Sequence, residues 1–406
     1  MHKSTRTSLA LAASLWLAPP MVGMAQTDLP DFTSSTAVPD VDLAKYHVEL
    51  SCAIDDRDVG AMTIALWGDA APITVRNYLR LCAEGFYDGK TFHRIMRDFM
   101  VQGGDPTGTG AGNSPHGTIK AEFSDDPARA HGYGVLSMAR MGNDPDSASC
   151  QFFICCNEAP NVWNLDGQYA SFGRVTSGVA TLEALAGAPV RAQGREKSTP
   201  SVRVTIKKAR VVKGPAPTGE VIARPTPPLD LGGQPEKVTV QHVLISFAGT
   251  PVTGVTRTKE EAEKLAKDVL ARAQAGEDFE ALVRAHSDDP PAATEPGVYR
   301  ILNTGVRDIA SERAIFDLER RYRKSMEELN AARSKAPLTA EEYKARAEAL
   351  QKAAQAEYTS MMRHQRTGLV PAFGDIGFAL EVGAVGLAPY DAATSPFGWH
   401  VIKRLQ

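Results

Sequence analysis

Residues 214 to 236 carry six prolines: Pro215, Pro217, Pro225, Pro227, Pro228 and Pro235. A proline offers no N–H to a helix or a sheet ladder and fixes its own φ. Such a run cannot enter a packed core and stiffens toward polyproline II, so it predicts a semi-rigid linker. A single continuous core is thereby excluded from a chain of 406 residues, a length that already exceeds what one core normally spans. Two domains are expected, over 44–213 and 237–406.

Before the first domain the sequence reads as a targeting segment followed by a spacer. His2, Lys3 and Arg6 precede an apolar run from Ser8 to Ala18. That run is too short to span a bilayer and suits the core of a signal peptide, with Gly23-Met24-Ala25 supplying small residues for cleavage. Residues 1–25 are therefore expected to be a signal peptide and 26–43 a loose spacer; the alternative is an uncleaved tethering helix. An exported protein of a bacterial periplasm or cell envelope is the expectation. The net charge of −3 gives no reason to expect nucleic acid or an anionic membrane surface as partner. Of the five cysteines, Cys52, Cys82, Cys150, Cys155 and Cys156, none has metal-ligand spacing. Cys52, Cys82, Cys155 and Cys156 lie in apolar runs and read as small buried hydrophobes.

Within 44–213, alternation predicts strands over Tyr46 to Cys52, Ala61 to Trp67, Gly134 to Arg140, Gln151 to Cys156, Tyr169 to Val175 and Val202 to Val212. Pro72 opens a helix whose Val75, Tyr78, Leu79 and Cys82 share one face, and Gly85 ends it. A second short helix covers Val179 to Leu185. Many strands with two short helices suggest a closed barrel. The chemistry is concentrated in Phe92-His93-Arg94-Ile95-Met96-Arg97-Asp98-Phe99-Met100-Val101-Gln102-Gly103-Gly104-Asp105. Arg94 is a permanent cation with a rigid fork of donors, set among apolar residues, and it is costly there unless something needs it. The glycine-rich loop 107–113 lacks both the Lys-Ser/Thr and the spacing of a phosphate cradle. His93 has no ligand spacing around it and reads as a packed residue.

These motifs resemble the cyclophilin family of peptidyl-prolyl isomerases. Phe92 to Asp105, the Gly108-Thr109-Gly110 loop, Leu136-Ser137-Met138-Ala139, Gln151-Phe152-Phe153-Ile154, Leu165-Asp166-Gly167 and Phe172-Gly173 carry the likeness. It implies a closed eight-stranded barrel with two capping helices and a substrate groove on its outer face. It also implies that Arg94 and Gln102 are catalytic, and that Phe99, Met100, Ala139, Phe153, Leu165 and Tyr169 line the groove. The competing role for Arg94 is a structural ion pair. The chain departs from the family at Asn164, where many members carry Trp, with Trp163 one place earlier. It departs again at Arg140, where Asn is usual, and it has Tyr169 where many members have His.

After the linker, Val238 to Phe247 reads as a strand. Thr258 and Glu261 form a capping box at the start of a helix stopped by Gly276, and a second helix runs from about Asp278 to His286. This half resembles the parvulin family, also prolyl isomerases, through Gln241-His242-Val243-Leu244-Ile245, Ser287-Asp288-Asp289, Leu369 to Phe373 and Phe397-Gly398-Trp399-His400-Val401-Ile402. The likeness implies an α+β domain with a four-stranded antiparallel sheet, His242 and His400 as paired core histidines, and Asp289 at an acid-or-cysteine position. Leu369 and Phe373 would wall a proline pocket, and Ser395 stands where Thr is usual. Glu295-Pro296-Gly297-Val298-Tyr299 replaces the family's glycine-rich run. Residues 307–366 interrupt the domain, and their apolar spacing with the Thr339–Glu342 capping box predicts a helical hairpin.

The chemistry implied is rotation about X-Pro bonds in exported, incompletely folded polypeptides, with no metal or cofactor required. A rival from another class is a non-catalytic holdase that grips proline-bearing unfolded segments.

Overall fold

The computed structural model describes residues 29–193, 196–220, 222–289, 295–335 and 338–406. The expected targeting segment lies outside the described residues. The chain divides into a unit ending at Arg224 and one beginning at Pro225.

In the first unit the alternating runs become β1 (Tyr46–Ile54), β2 (Arg57–Leu66), β5 (Val135–Met138), β6 (Phe152–Cys155) and β7 (Ser171–Ser177), and the Phe92–Asp105 stretch, for which alternation predicts no strand, supplies β3 (Thr91–Met96) and β4 (Met100–Asp105). A hairpin of β8 (Val190–Gln193) and β9 (Glu196–Pro200) follows, and β10 (Val204–Lys213) ends the unit. The barrel closes in the order β1-β10-β3-β4-β6-β5-β7-β2. Helix α1 (Pro72–Ala83) lays Val75, Tyr78, Leu79 and Cys82 into the barrel core. The carboxylate of Glu122 accepts from the N–H groups of Ile73 (3.0 Å) and Thr74 (2.8 Å) at its start, which satisfies donors that have no partner within the helix. Helix α2 (Pro160–Trp163) is a single turn that sequence periodicity did not show, and α3 (Val179–Ala186) packs against β2. Tyr78, Tyr87, Phe152 and Phe172 form the aromatic centre, with ring centroids 5.1–5.4 Å apart. All five cysteines are buried and free, and burial pushes the Cys52 thiol up to about 12.

Part of the expected linker is held to this unit. Glu220 accepts from the N–H groups of Gly178 (2.8 Å) and Val179 (3.0 Å), capping α3. Arg224 pairs with Asp98 at 2.7 Å.

The second unit is built on β11 (Lys237–Ile245). It pairs antiparallel with β12 (Val298–Leu302) on one side and with β15 (Trp399–Arg404) on the other. Helices α4 (Lys259–Gln274) and α5 (Phe279–His286) cover Val243, Ile245, Trp399 and Val401. The capping box of Thr258 and Glu261 is formed as predicted. The opposite face, Val238, Val240, Ile301 and Ile402, receives α8 (Pro371–Ala379). Strand β14 (Val385–Ala388) pairs with β15. The helical insertion consists of α6 (Ile309–Lys335) and α7 (Ala340–Met361).

Two corrections follow. The sheet has five strands rather than four, because β13 (His364–Gln365) adds in parallel to β12. The insertion is consequently shorter than 307–366: its ends meet where Arg363 pairs with Asp308 at 3.3 Å, and residues 364–366 belong to the sheet side of the domain.

Candidate functional site

Strand parity positions the first site. Successive side chains on a strand point to opposite faces. Ile95, Val101 and Ile154 enter the barrel core, so Arg94, Gln102 and Phe153 share the other face. Their register is continuous across three strands, Arg94 opposite Gln102 and Gln102 opposite Phe153. The turn from β3 to β4 is closed by the Phe99 N–H donating to the Met96 carbonyl at 2.9 Å. Beyond it, Gly104 sits at φ +85°, where a Cβ would meet the Cys150 carbonyl at 2.7 Å and Tyr87 at 2.9 Å. Only glycine fits there.

Met100, Phe153 and Leu165 are buried yet stand outside the barrel core cluster. Ala139, Phe99 and Tyr169 are partly exposed beside that row. Phe153 meets Tyr169 edge-on at 5.8 Å. The Gln102 amide donates to Gln151 at 3.1 Å, and Gln151 donates to the carbonyls of Gly110 (3.0 Å) and Gly112 (2.9 Å). The glycine-rich loop is thus tied to the strand row. Arg140 lies over the ring of Tyr169 at 4.7 Å and donates to the carbonyls of Gln168, Met141 and Gly142. Trp163 is 1% exposed and its Nε1 donates to Glu158 at 3.2 Å. It is turned into the protein, away from solvent, and Asn164 is exposed.

The Arg94 guanidinium is half-buried. Its Nη1 lies 3.4 Å from Gln102 Oε1 and 3.9 Å from Met100 Sδ, and its Nη2 lies 3.4 Å from Met96 Sδ. Its other edge forms a two-point ion pair with Glu196: Nε to Oε2 at 2.8 Å and Nη2 to Oε1 at 2.6 Å. Glu196 escaped sequence reasoning because nothing in the residues 190–200 links them to a strand a hundred positions earlier. A second group also escaped it. His131 bridges Asp166 (Nδ1 to Oδ1, 2.8 Å) and Ser137 (Nε2 to Oγ, 2.9 Å), and it stacks behind Phe153 at 6.3 Å. The trio has the spacing of a nucleophilic triad, but Ser137 and the His131 and Asp166 side chains are all at most 5% exposed. A substrate carbonyl cannot reach the hydroxyl, so the trio is a buried polar network packed behind Phe153.

The second site is also set by parity. His242 follows Val238 and Val240, and His400 precedes Ile402, so both imidazoles lie on the α8 face. Their Nδ1 atoms are 3.2 Å apart and the rings are stacked at 5.3 Å. His242 Nε2 lies 3.1 Å from Asp289 Oδ2, which also accepts from the Tyr299 hydroxyl at 3.0 Å. Burial alone would raise the Asp289 carboxyl, but the hydrogen bond and charge of His242 and the bond from Tyr299 hold it below the usual range. Burial first, then the neighbouring His242, pushes His400 down to about 3, so it is neutral. His400 Nε2 is buried with no partner among the described residues. Ser395 donates to the Gly398 carbonyl at 2.9 Å, so the family-suggested position does not serve the histidines. The segment that departs from the family supplies two working parts. Gly297, at φ +68°, leaves no room for a Cβ against the His242 carbonyl, and Tyr299 is the donor to Asp289. His242, Asp289, Tyr299, Leu369, Phe373 and His400 line a cleft of about 520 Å³. Among the described residues no cluster of His, Cys, Asp and Glu could hold a metal ion, and no helix is long and apolar enough to cross a membrane.

Family profiles match both units. The profile described as "Cyclophilin type peptidyl-prolyl cis-trans isomerase/CLD" matches residues 51–211. A "PPIC-type PPIASE domain" profile matches 229–329. A "Peptidyl-prolyl cis-trans isomerase-like 1" of Neurospora crassa is 43% identical over 156 residues, which is 38% of this chain and 90% of the relative. The "Peptidyl-prolyl cis-trans isomerase ppi1" of Schizosaccharomyces pombe is 43% identical over 138 residues, 33% of this chain and 81% of the relative. A crystal structure of a Cryptosporidium parvum cyclophilin type isomerase, 30% identical, aligns with a TM-score of 0.37 over 42% of this chain and 98% of that one. The relatives named here from fungi point to a eukaryote. That overturns the expectation of a bacterial periplasm or envelope.

Proposed function

The chain belongs to the cyclophilin-type peptidyl-prolyl cis-trans isomerases, and from that premise we propose that Arg94 is the group that lowers the rotational barrier. The chain is a peptidyl-prolyl isomerase. Amide resonance sets that barrier at about 18–20 kcal/mol, and the uncatalysed flip takes roughly tens to hundreds of seconds. As the C–N bond twists, the prolyl nitrogen regains its lone pair and becomes an acceptor. Arg94 Nη1 donates to that nitrogen. The apolar row of Met100, Phe153 and Leu165, with Phe99 and Ala139 at its margin, holds the ring and excludes water, which favours the less polar twisted amide. Gln102 steers the substrate backbone. The substrate is an X-Pro bond in an incompletely folded polypeptide.

The observation that carries this reading is the cross-strand row Arg94, Gln102, Phe153, with a guanidinium end directed along it. In the second unit the proline ring rests on Leu369 and Phe373 beside His242 and the neutral His400. Turnover of a short proline peptide by the full chain, wild type against Arg94→Ala, tests the assignment. A large fall is expected; equal turnover would remove Arg94 from the mechanism.

A further inference from the structure

An arginine side chain has four rotatable bonds, and about 2 kcal/mol of rotamer entropy opposes holding it in one pose. A donor that must meet a nitrogen only as the bond twists is useful only when it is already in place. Among the residues around Arg94, two thioethers and one long amide contact at 3.4 Å do little to fix a guanidinium. Glu196 does more. It grips the Nε–Nη2 edge with both oxygens, the geometry in which a planar fork meets a carboxylate best. The carboxylate is itself held: the hydroxyl of Ser198, a residue 5% exposed, donates to Oε2 at 2.5 Å. Strand β9, which carries both residues, lies against β3.

The gripped edge is the one away from Gln102. Nη1, the atom beside Gln102 and Met100, makes no bond to Glu196. A carboxylate meant to mask the cation would be expected to cover that end.

We propose that Glu196 is a positioning residue, which fixes the Arg94 guanidinium by its Nε–Nη2 edge so that Nη1 is presented to the prolyl nitrogen. This rests on the assignment of Arg94 given above. The pair is about one-third exposed on each side, Arg94 at 33% and Glu196 at 38%. Exposed pairs of this kind add little to stability, so the effect of Glu196 is on turnover and not on folding. Hydrogen bonding from Arg94 holds the Glu196 carboxyl down at about 2, so the grip persists through the neutral and mildly acid range.

The test uses the full chain and a short proline peptide, with kcat and KM measured separately above the residual turnover of Arg94→Ala. Glu196→Ala is expected to lower kcat about tenfold with KM within about twofold, at an unchanged melting temperature. Glu196→Gln keeps one carbonyl acceptor and should recover part of the loss. In an Arg94→Lys background no fork remains to be gripped, so adding Glu196→Ala should cost less than about twofold. Wild-type kcat in Glu196→Ala would overturn the proposal. So would a raised kcat, which would make Glu196 a brake, or an undiminished loss in the lysine background. If Arg94→Ala itself turned over like wild type, the catalytic assignment would fall first. If Arg94→Ala is crippled while Glu196→Ala is not, only the role of Glu196 fails.

Discussion

The two sites differ in how a polar group survives beside an apolar wall. In the barrel the group is a permanent cation, a third exposed and neutralised by a carboxylate brought from a distant hairpin. In the second unit it is a pair of imidazoles, almost fully buried, one of them kept neutral by its surroundings. Burying an ion without a partner costs several kcal/mol, so each unit meets the same constraint differently: one pairs the charge, the other removes it. Rotation about an amide needs no proton transfer, and both arrangements are compatible with it. They should respond very differently to mutation and to acid.

The largest difference is expected at Arg94. A charge-assisted hydrogen bond contributes about 1.5–3 kcal/mol, so Arg94→Ala should lower peptide turnover by about 10- to 150-fold. A comparable fall from His242→Ala, with Arg94→Ala mild, would invert the comparison and make the second unit the principal catalyst.

Acid gives the next effect, and of the two sites the second should respond more strongly. An unfolded histidine titrates near 6.5, whereas His400 in the fold is held down to about 3 by burial and by His242. Between those values the unfolded chain binds a proton that the folded chain refuses. Stability attributable to His400 is therefore full above about pH 6.5 and falls by about 1.4 kcal/mol per pH unit below it. The depressed Asp289 carboxyl acts in the same direction, its contribution being lost as pH falls through its folded value. Calorimetry of the full chain at pH 7, 6 and 5 should show one transition moving to lower temperature. His400→Asn should flatten that slope, and a slope unchanged by the substitution would mean His400 is not neutral in the fold. At the first site Glu196 contributes nothing to such a slope until the pH drops below its unfolded value, near 4.3.

A smaller effect separates the hydroxyl of Tyr299 from its ring. Tyr299→Phe keeps the ring contacts with His242 (5.0 Å) and Phe373 (5.5 Å) and deletes only the donor to Asp289. Loss of one hydrogen bond to a charged acceptor costs about 1.5–3 kcal/mol at most, and the same calorimetric transition should drop by a few degrees. No change would indicate that His242 alone satisfies the carboxylate.

What could be read from the sequence follows the range over which each signal acts. Arg94 and Gln102, like His242 and His400, could be singled out because each sits in a short contiguous motif, and a motif is legible without knowledge of the fold. The helical hairpin was legible through its apolar spacing and the Thr339–Glu342 capping box, which is formed. The partners were not legible. Glu196 meets Arg94 across 102 positions and His131 meets Asp166 across 35, and no periodicity reports such a meeting. Tyr299 could be recognised only as a departure from the family's glycines. A two-residue strand such as β13 leaves no pattern to find. Trp163 had the right residue type one place early, and a single turn of helix was enough to swing it into the interior.

The smallest effect expected is from the insertion. Leu318 and Leu329 of α6 are buried, but α7 buries none of its residues. The hairpin is held by scattered polar contacts such as Tyr343 to Asn330 at 2.9 Å and Arg321 to Glu357 at 2.5 Å. Its ends already meet at Asp308 and Arg363, so residues 309–361 can be replaced by a short glycine-rich connection that leaves β12 and β13 paired. Peptide isomerisation by the full chain should then stay within about twofold of wild type, because no residue of α6 or α7 lines the cleft of His242 and His400. Suppression of aggregation of an unfolded client, measured in parallel, decides what the hairpin is for: a fall there assigns it to gripping chains, and no change leaves it a structural appendage. A loss of peptide turnover would show instead that the insertion supports one of the two sites through the sheet edge at His364, whose ring lies 4.9 Å from Tyr299.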